Sequence, residues 1–163
     1  MNKIYWFTGL SGSGKTTLGF ALKDYFDNHK IPSFVVDGDE LRSGLSSDLG
    51  FSDSDRIENN RRAMELSMLL IKNKIIPITT LISPFELERS KIKEYFKDYE
   101  FKLIYLDVNI NIFRKRDPKG LYSKNIKNFT GIGSNYEIPS NPNLILDTYS
   151  LSIQSCVEKI LQI

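Results

Sequence analysis

Apolar positions along the chain alternate between short runs of β-branched and aromatic residues and longer stretches with helical spacing. Lys3 to Thr8 is a continuous apolar run that predicts a first strand, and Thr16 to Asn28 places Leu18, Ala21, Leu22, Tyr25 and Phe26 on one helical face. Ser33-Phe34-Val35-Val36 predicts a second strand ending at Asp37-Gly38-Asp39, with a helical turn over Glu40 to Arg42. Ser52-Asp53-Ser54-Asp55 offers N-cap candidates for a long helix through Lys72, with Ile57, Ala63, Leu66, Leu69 and Leu70 expected on its apolar side. Ile75 to Ile82 is almost wholly apolar or β-branched, as a strand buried on both faces would be. Ser83, Pro84 and Glu86 then suit the N-cap, N1 and N3 positions of a helix through Lys97. Phe101 to Val108 is expected as a fourth strand, Ile110 to Arg116 as a short helix, Leu144 to Leu146 as a fifth strand, and Ser152 to Leu161 as a closing amphipathic helix. Strand and helix repeated five times predict an α/β fold: a five-stranded parallel sheet with helices on both faces.

One stretch breaks the alternation. Residues 117–139 contain Gly120, Gly131 and Gly133, several Asn and Ser, and three lysines without a period. A connection this long is either functional or an ordinary surface loop, and its length favours a lid that closes over a site.

Composition narrows the classes. A chain of 163 residues suits a single domain, expected over 1–163. A formal net charge of +2 with acids and bases interleaved predicts neither a nucleic-acid polymer nor a membrane as partner, and points to a small anionic substrate. Cys156 is the only cysteine, which excludes an internal disulfide and a cysteine-rich metal site. With no leader-like or long apolar run, the expected location is cytoplasmic.

The strongest chemical signal follows the first strand. Gly9-Leu10-Ser11-Gly12-Ser13-Gly14-Lys15-Thr16-Thr17 fits a phosphate-binding loop, G-x-x-x-x-G-K-[ST]. Its glycines let backbone N–H groups close on an anion, Lys15 would reach the β/γ-phosphates, and Thr16 would offer its hydroxyl to Mg²⁺. The ligands implied are ATP and Mg²⁺. Asp37 and Asp39 end the second strand, at the edge of a parallel sheet where ligands sit. Asp39 could cap a short helix or hold metal, and Arg42, three residues on, shares its face and could bind an anion. Arg56 and Asn59 also share a helical face, although charged residues in a first turn are usually solvated. His29 reads as a helix-dipole partner, Cys156 as core, and Trp6 as packing.

Taken together, Trp6 to Gly12, Asp37-Gly38-Asp39 with Arg42, Asp48 to Phe51 leading into Asp55 to Asn59, Ile82-Ser83-Pro84, Arg116 to Tyr122 and Ile126 to Gly131 resemble adenylyl-sulfate kinase over nearly the whole chain. That resemblance implies a P-loop kinase that uses ATP to phosphorylate the ribose 3′-hydroxyl of adenosine 5′-phosphosulfate. It implies Lys15 and Asp39 as catalytic groups, with Thr16 and Asp39 at the metal. It also implies that Arg42, Arg56 and Asn59 hold the acidic end of the substrate, that Phe51 and Phe129 stack on its base, and that Ile82 and Ser83 contact it. Asp37, Lys119, Leu121 and Lys127 complete the expected substrate set. Ser83 is offered by the resemblance as a phosphoserine intermediate and by the residues as a cap; no obligatory phosphoenzyme is expected. The stretch between Gly-Leu-Tyr and Ile-Lys-Asn-Phe-Thr-Gly is shorter than is usual in the family. A capsule-associated branch acting on cytidine diphosphoramidate is therefore the alternative substrate reading, and a nucleotide-sensing module without turnover is the alternative of another class. A homodimer is a further implication.

Overall fold

The structure, a computed structural model, describes residues 2–108 and 135–163. Five parallel strands, β1 (Lys3–Thr8), β2 (Ser33–Asp37), β3 (Ile76–Thr80), β4 (Glu100–Asp107) and β5 (Leu144–Asp147), form one sheet in the order β2-β3-β1-β4-β5. β1 lies between β3 and β4, pairing Tyr5 with Ile78 on one side and with Lys102 on the other. The chain crosses from the β3 side of β1 to the β4 side, which opens a crevice at the carboxyl ends of the strands. The expected short helix over Ile110 to Arg116 lies outside the described residues.

Alternation in β1 accounts for the two layers. Tyr5 and Phe7 face α1 (Lys15–Asn28) and the last helix, α5 (Ile153–Leu161), in a core with Leu18, Leu22, Phe26, Val157 and Ile160. Ile4 and Trp6 face α2 (Gly38–Ser43), α3 (Asp53–Lys72) and α4 (Glu86–Tyr95), packing with Leu41, Ala63, Ile71, Ile92 and Phe96. Each fully buried aliphatic residue, such as Leu22 or Ile78, contributes about 1.5–3 kcal/mol relative to exposure. Gly19 lets α1 lie this close to the sheet: a Cβ there would stand 2.6 Å from Thr80 Cγ2.

Two local expectations are corrected. Ser83 does not cap α4; the N-cap is Phe85, with no side-chain cap bond, and the helix starts at Glu86. Ser83 instead takes a positive φ of 44° and directs its hydroxyl to Asn60 of α3, a tertiary contact that competes with capping. In α3, Ser52 does form the capping box with Asp55, but the buried stripe is Arg56, Asn59, Asn60, Ala63, Ser67 and Ile71. Ile57 and Leu69 are exposed. The N-terminal half of α3 lies along the cleft described below, so polar side chains occupy its inward face.

Candidate active site

The loop between β1 and α1 turns through three left-handed positions, Gly9 (φ 150°), Gly12 (φ 80°) and Gly14 (φ 95°). At Gly9 a Cβ would also meet Leu106 O at 2.8 Å. Gly14 is the N-cap of α1, so the positive end of the helix faces the loop. Lys15 is buried, and its ammonium donates to the carbonyls of Gly9 (2.9 Å) and Leu10 (2.7 Å) and to Ser13 Oγ (3.4 Å).

Asp37 ties three elements to this loop. Its Oδ2 accepts from Thr16 Oγ1 at 2.7 Å and Thr80 Oγ1 at 2.8 Å, while Oδ1 accepts from the backbone N–H groups of Asp39 (2.9 Å) and Glu40 (3.2 Å), capping α2. Burial alone would raise its pKa; the bonds from Thr16, Thr80, Glu40 and Asp39 outweigh burial and hold it below the ordinary aspartate value. The cap of α2 is thus Asp37, and Asp39 lines the cleft.

That cleft has a volume of about 370 Å³. Ser11, Gly12, Gly14, Lys15, Thr16 and Thr17 form one wall; Asp37, Asp39 and Arg42 come from the end of β2 and from α2. Phe51 and, from α3, Arg56, Asn59 and Asn60 also line the cleft, as do Ile82 and Ser83 beyond β3. Gly9 and Ser13 belong to the loop without lining the cleft. Lys119, Leu121, Lys127 and Phe129, and residues 117–134 of the expected lid, lie outside the described residues.

Around Phe51 the charge is positive. The Arg42 guanidinium carbon stands 4.7 Å from the centre of its ring and that of Arg56 6.0 Å, while Arg56 Nε donates to Phe51 O at 3.0 Å. Arg62 fixes the connection carrying Phe51 by donating to Leu45 O and to both carboxylate oxygens of Asp48. Arg56 is only 6% exposed, against the surface placement that its position in a first turn suggests. Burial, and then the neighbouring Arg42 charge, lower the pKa of Arg56; burial also lowers that of Arg42. Two partly desolvated guanidiniums beside one ring could hold an anion.

Ser83 is 2% exposed and enclosed by hydrogen bonds. Its Oγ accepts from Trp6 Nε1 at 2.9 Å and donates to Asn60 Oδ1 at 3.0 Å; its carbonyl accepts from Arg89 Nη1 at 2.6 Å and Thr8 Oγ1 at 3.3 Å. Arg89, also buried, donates to Glu137 O at 2.6 Å, and Tyr136 bonds Thr8 Oγ1 through its hydroxyl at 2.9 Å. Trp6 does pack in the core as expected, and its indole N–H has this added use. Asn60, Arg89 and Tyr136 were not singled out by sequence reasoning; for Asn60 the signal was present, since it stands four residues after Arg56 and shares its face. His29 closes α1 and donates from Nδ1 to Tyr25 O at 2.7 Å, and Cys156 is buried.

The donor set fits Mg²⁺ bound together with phosphates. Thr16, Asp37 and Asp39 bring hard oxygen atoms to the loop, and such sites need only one or two protein oxygens. Among the described residues no group of three or more His, Cys, Asp or Glu could hold a metal by itself, and no helix is long and apolar enough to cross a membrane.

A glycine loop with its lysine and threonine at the carboxyl edge of a parallel sheet, facing carboxylates and an arginine pair across one cleft, defines a P-loop kinase. The family model for adenylylsulphate kinase matches residues 1–147. An adenylyl-sulfate kinase of Prochlorococcus marinus is 47% identical over 162 residues, covering 97% of this chain and 81% of that protein. The Mycobacterium tuberculosis APS kinase in complex with AMPPNP and APS superposes with a TM-score of 0.92 at 37% identity, covering 99% of this chain and 96% of that one. The hexameric APS kinase from Thiobacillus denitrificans gives a TM-score of 0.73 at 31% identity, covering 98% of this chain and 28% of that one. The chain belongs to the adenylylsulphate kinase family.

Proposed function

We propose that the protein transfers the γ-phosphoryl group of ATP to the ribose 3′-hydroxyl of adenosine 5′-phosphosulfate, giving 3′-phosphoadenosine 5′-phosphosulfate and ADP. The observation that carries this reading is that the phosphate loop, the Arg42–Phe51–Arg56 cluster and Asp39 all line one cleft. Family membership and the printed ligands of the Mycobacterium tuberculosis enzyme support the same pair of substrates.

In this reading the loop N–H groups and the α1 terminus bind the phosphates, and Lys15 moves from the carbonyls of Gly9 and Leu10 to the transferring phosphoryl oxygens. There it stabilises the charge of a loose transition state. Asp39 orients the attacking hydroxyl; as the new O–P bond forms, the bond from γ-phosphorus to the bridging oxygen breaks and its electron pair leaves with ADP. Asp39 or a water beside it takes the hydroxyl proton. Thr16 and Asp39 would hold Mg²⁺, which neutralises the phosphate charge. Arg42, Arg56 and Asn59 would grip the acidic 5′ end, Asp37 would hold Thr16 in place, and Phe51 with Phe129 would stack on the base. Ile82 and Ser83, with Lys119, Leu121 and Lys127, would complete the substrate contacts. The reading takes 1–163 as one catalytic domain acting in the cytoplasm, where ATP and Mg²⁺ are supplied. It also takes the chain to work as a homodimer, supported by self-association of the hexameric relative.

The test is ATP consumption with a panel of acceptors. Adenosine 5′-phosphosulfate should give the highest kcat/KM; a large excess for cytidine diphosphoramidate would replace the substrate, and no acceptor-dependent turnover at all would favour a sensing module.

The reaction needs no phosphoserine. The Ser83 hydroxyl is buried, its hydrogen is given to an amide and a lone pair engages an indole N–H, so among the described residues no base is placed to activate it. Ser83→Ala should therefore retain transfer to within about thirtyfold, the worth of the two neutral hydrogen bonds it loses at about 1 kcal/mol each. Mass spectrometry of the wild type after ATP treatment should find Ser83 unmodified; phosphate accumulating there with ping-pong kinetics would refute this.

A further inference from the structure

We infer that Asn60 is a specificity-determining residue whose amide Nδ2 donates a hydrogen bond to an oxyanion at the 5′ end of the acceptor nucleotide. This rests on the nucleotide-kinase reading above.

Asn60 is 3% exposed and lines the cleft, yet its Nδ2 has no hydrogen-bond partner among the described residues. An amide N–H left unpaired inside a protein is costly, and one carried by a cleft-lining residue calls for a partner from outside the fold. Hydrogen-bond direction fixes which atom of the amide is left over. The Trp6 indole can only donate, so Ser83 Oγ accepts from it at 2.9 Å; the Ser83 hydrogen then goes to Asn60 at 3.0 Å, which requires Oδ1 at that position. Turning the amide over would strand the Ser83 hydrogen. The chain of bonds therefore runs Trp6 to Ser83 to Asn60 and ends on a donor.

The surroundings select the acceptor. Arg56 precedes Asn60 by four residues on the same inward face of α3, and Arg42 lines the same cleft, so a group that reaches Nδ2 comes near two guanidiniums, with the carboxylates of Asp37 and Asp39 also lining the cleft. An oxyanion is drawn there and accepts the bond; a neutral base edge gains nothing from the two charges. Asn59, beside it and 4% exposed, leaves its Oδ1 without a partner among the described residues, so two adjacent amides lining the cleft hold unspent capacity. Asn60 thus adds a fixed neutral donor to the arginine pair. Two arginines attract any anion of the right size, whereas a rigid amide N–H discriminates by position.

Two variants separate this from a structural role. Asn60→Asp keeps the acceptor for Ser83 and removes the donor; Asn60→Leu is neutral and of similar volume, which controls for repulsion by a new carboxylate. Both should raise KM for adenosine 5′-phosphosulfate at least tenfold while KM for ATP stays within twofold. The rise in the Leu variant should exceed that of Ser83→Ala, which breaks the Ser83 bond without touching Nδ2. Inhibition constants supply the second readout, using AMP, which carries a 5′ oxyanion, and adenosine, which does not. AMP should weaken by the same factor as substrate in both variants, and adenosine should be unaffected. Unchanged KM, or a Ser83→Ala effect equal to the Leu effect, would reduce Asn60 to a structural residue; equal weakening of AMP and adenosine would move its contact to the ribose or base. Absence of turnover with any acceptor in wild type would sink the kinase reading alone, because the two inhibitor titrations, run as direct binding, still decide the role of Asn60.

Discussion

Replacing Lys15 by alanine is expected to lower kcat/KM for phosphoryl transfer by about a hundredfold to a thousandfold and to leave the protein folded. Within its own loop the lysine donates to Gly9 O, Leu10 O and Ser13 Oγ, and loss of such bonds costs about 1–2 kcal/mol in a fold that carries two large cores. In the transition state the same ammonium meets charge spread over the phosphoryl oxygens. One preorganised donor is worth about 3–4 kcal/mol there, and each 1.36 kcal/mol is about tenfold in rate. Far-ultraviolet circular dichroism should match wild type while turnover collapses. Near-normal turnover would remove the phosphate loop from the mechanism.

Asp37→Ala should damage both fold and activity. Its carboxylate accepts from Thr16, Thr80 and the N–H groups of Asp39 and Glu40, so alanine leaves the buried Thr80 hydroxyl without its carboxylate acceptor and uncaps α2. A lost cap costs about 1 kcal/mol and a stranded buried hydroxyl about 1–3, for a total near 3 kcal/mol. Turnover should fall with it, since Thr16 loses the partner that orients its hydroxyl. Because the folded pKa lies below the ordinary value, the carboxylate stabilises the protein above the unfolded pKa, and that stability disappears as pH falls through the lower folded value. The difference in thermal midpoint between wild type and variant should therefore be constant near neutrality and shrink only in strong acid. A difference already shrinking near pH 6 would assign the effect to another group.

What could be read from the chain, and what could not, divides along the distance over which each residue acts. The loop, the five strands, the helix faces and the pairing of Asp39 with Arg42 are local patterns, whereas Phe51, Arg56 and Asn59 enter the expected site by family resemblance. The bare residues mislead at Arg56, because nothing in a charged first turn announces that α3 lies against a cleft. Ser83-Pro84-Phe85-Glu86 has the composition of a helix start, but bonds from Trp6 and to Asn60, 77 and 23 residues away in sequence, override it. Gly19 looks like a weak spot in a helix; its reason is Thr80 on a neighbouring strand. Arg89 resembles any helical arginine until Ser83 O and Glu137 O are seen around it.

The Trp6–Ser83–Asn60 chain also equips the molecule with its own optical probe. Trp6 is the only tryptophan, fully buried against Phe101, and its indole N–H is bonded to a hydroxyl that in turn touches the cleft wall. Its fluorescence comes from a single environment, free of the mixture that several indoles would produce. Emission should lie toward the blue, as for an indole shielded from water, and a ligand that polarises Asn60 changes the hydrogen bond at the excited ring. Occupancy of the cleft beside Asn60 can thus be followed in the unlabelled protein, while an event confined to the phosphate loop leaves the signal largely unchanged.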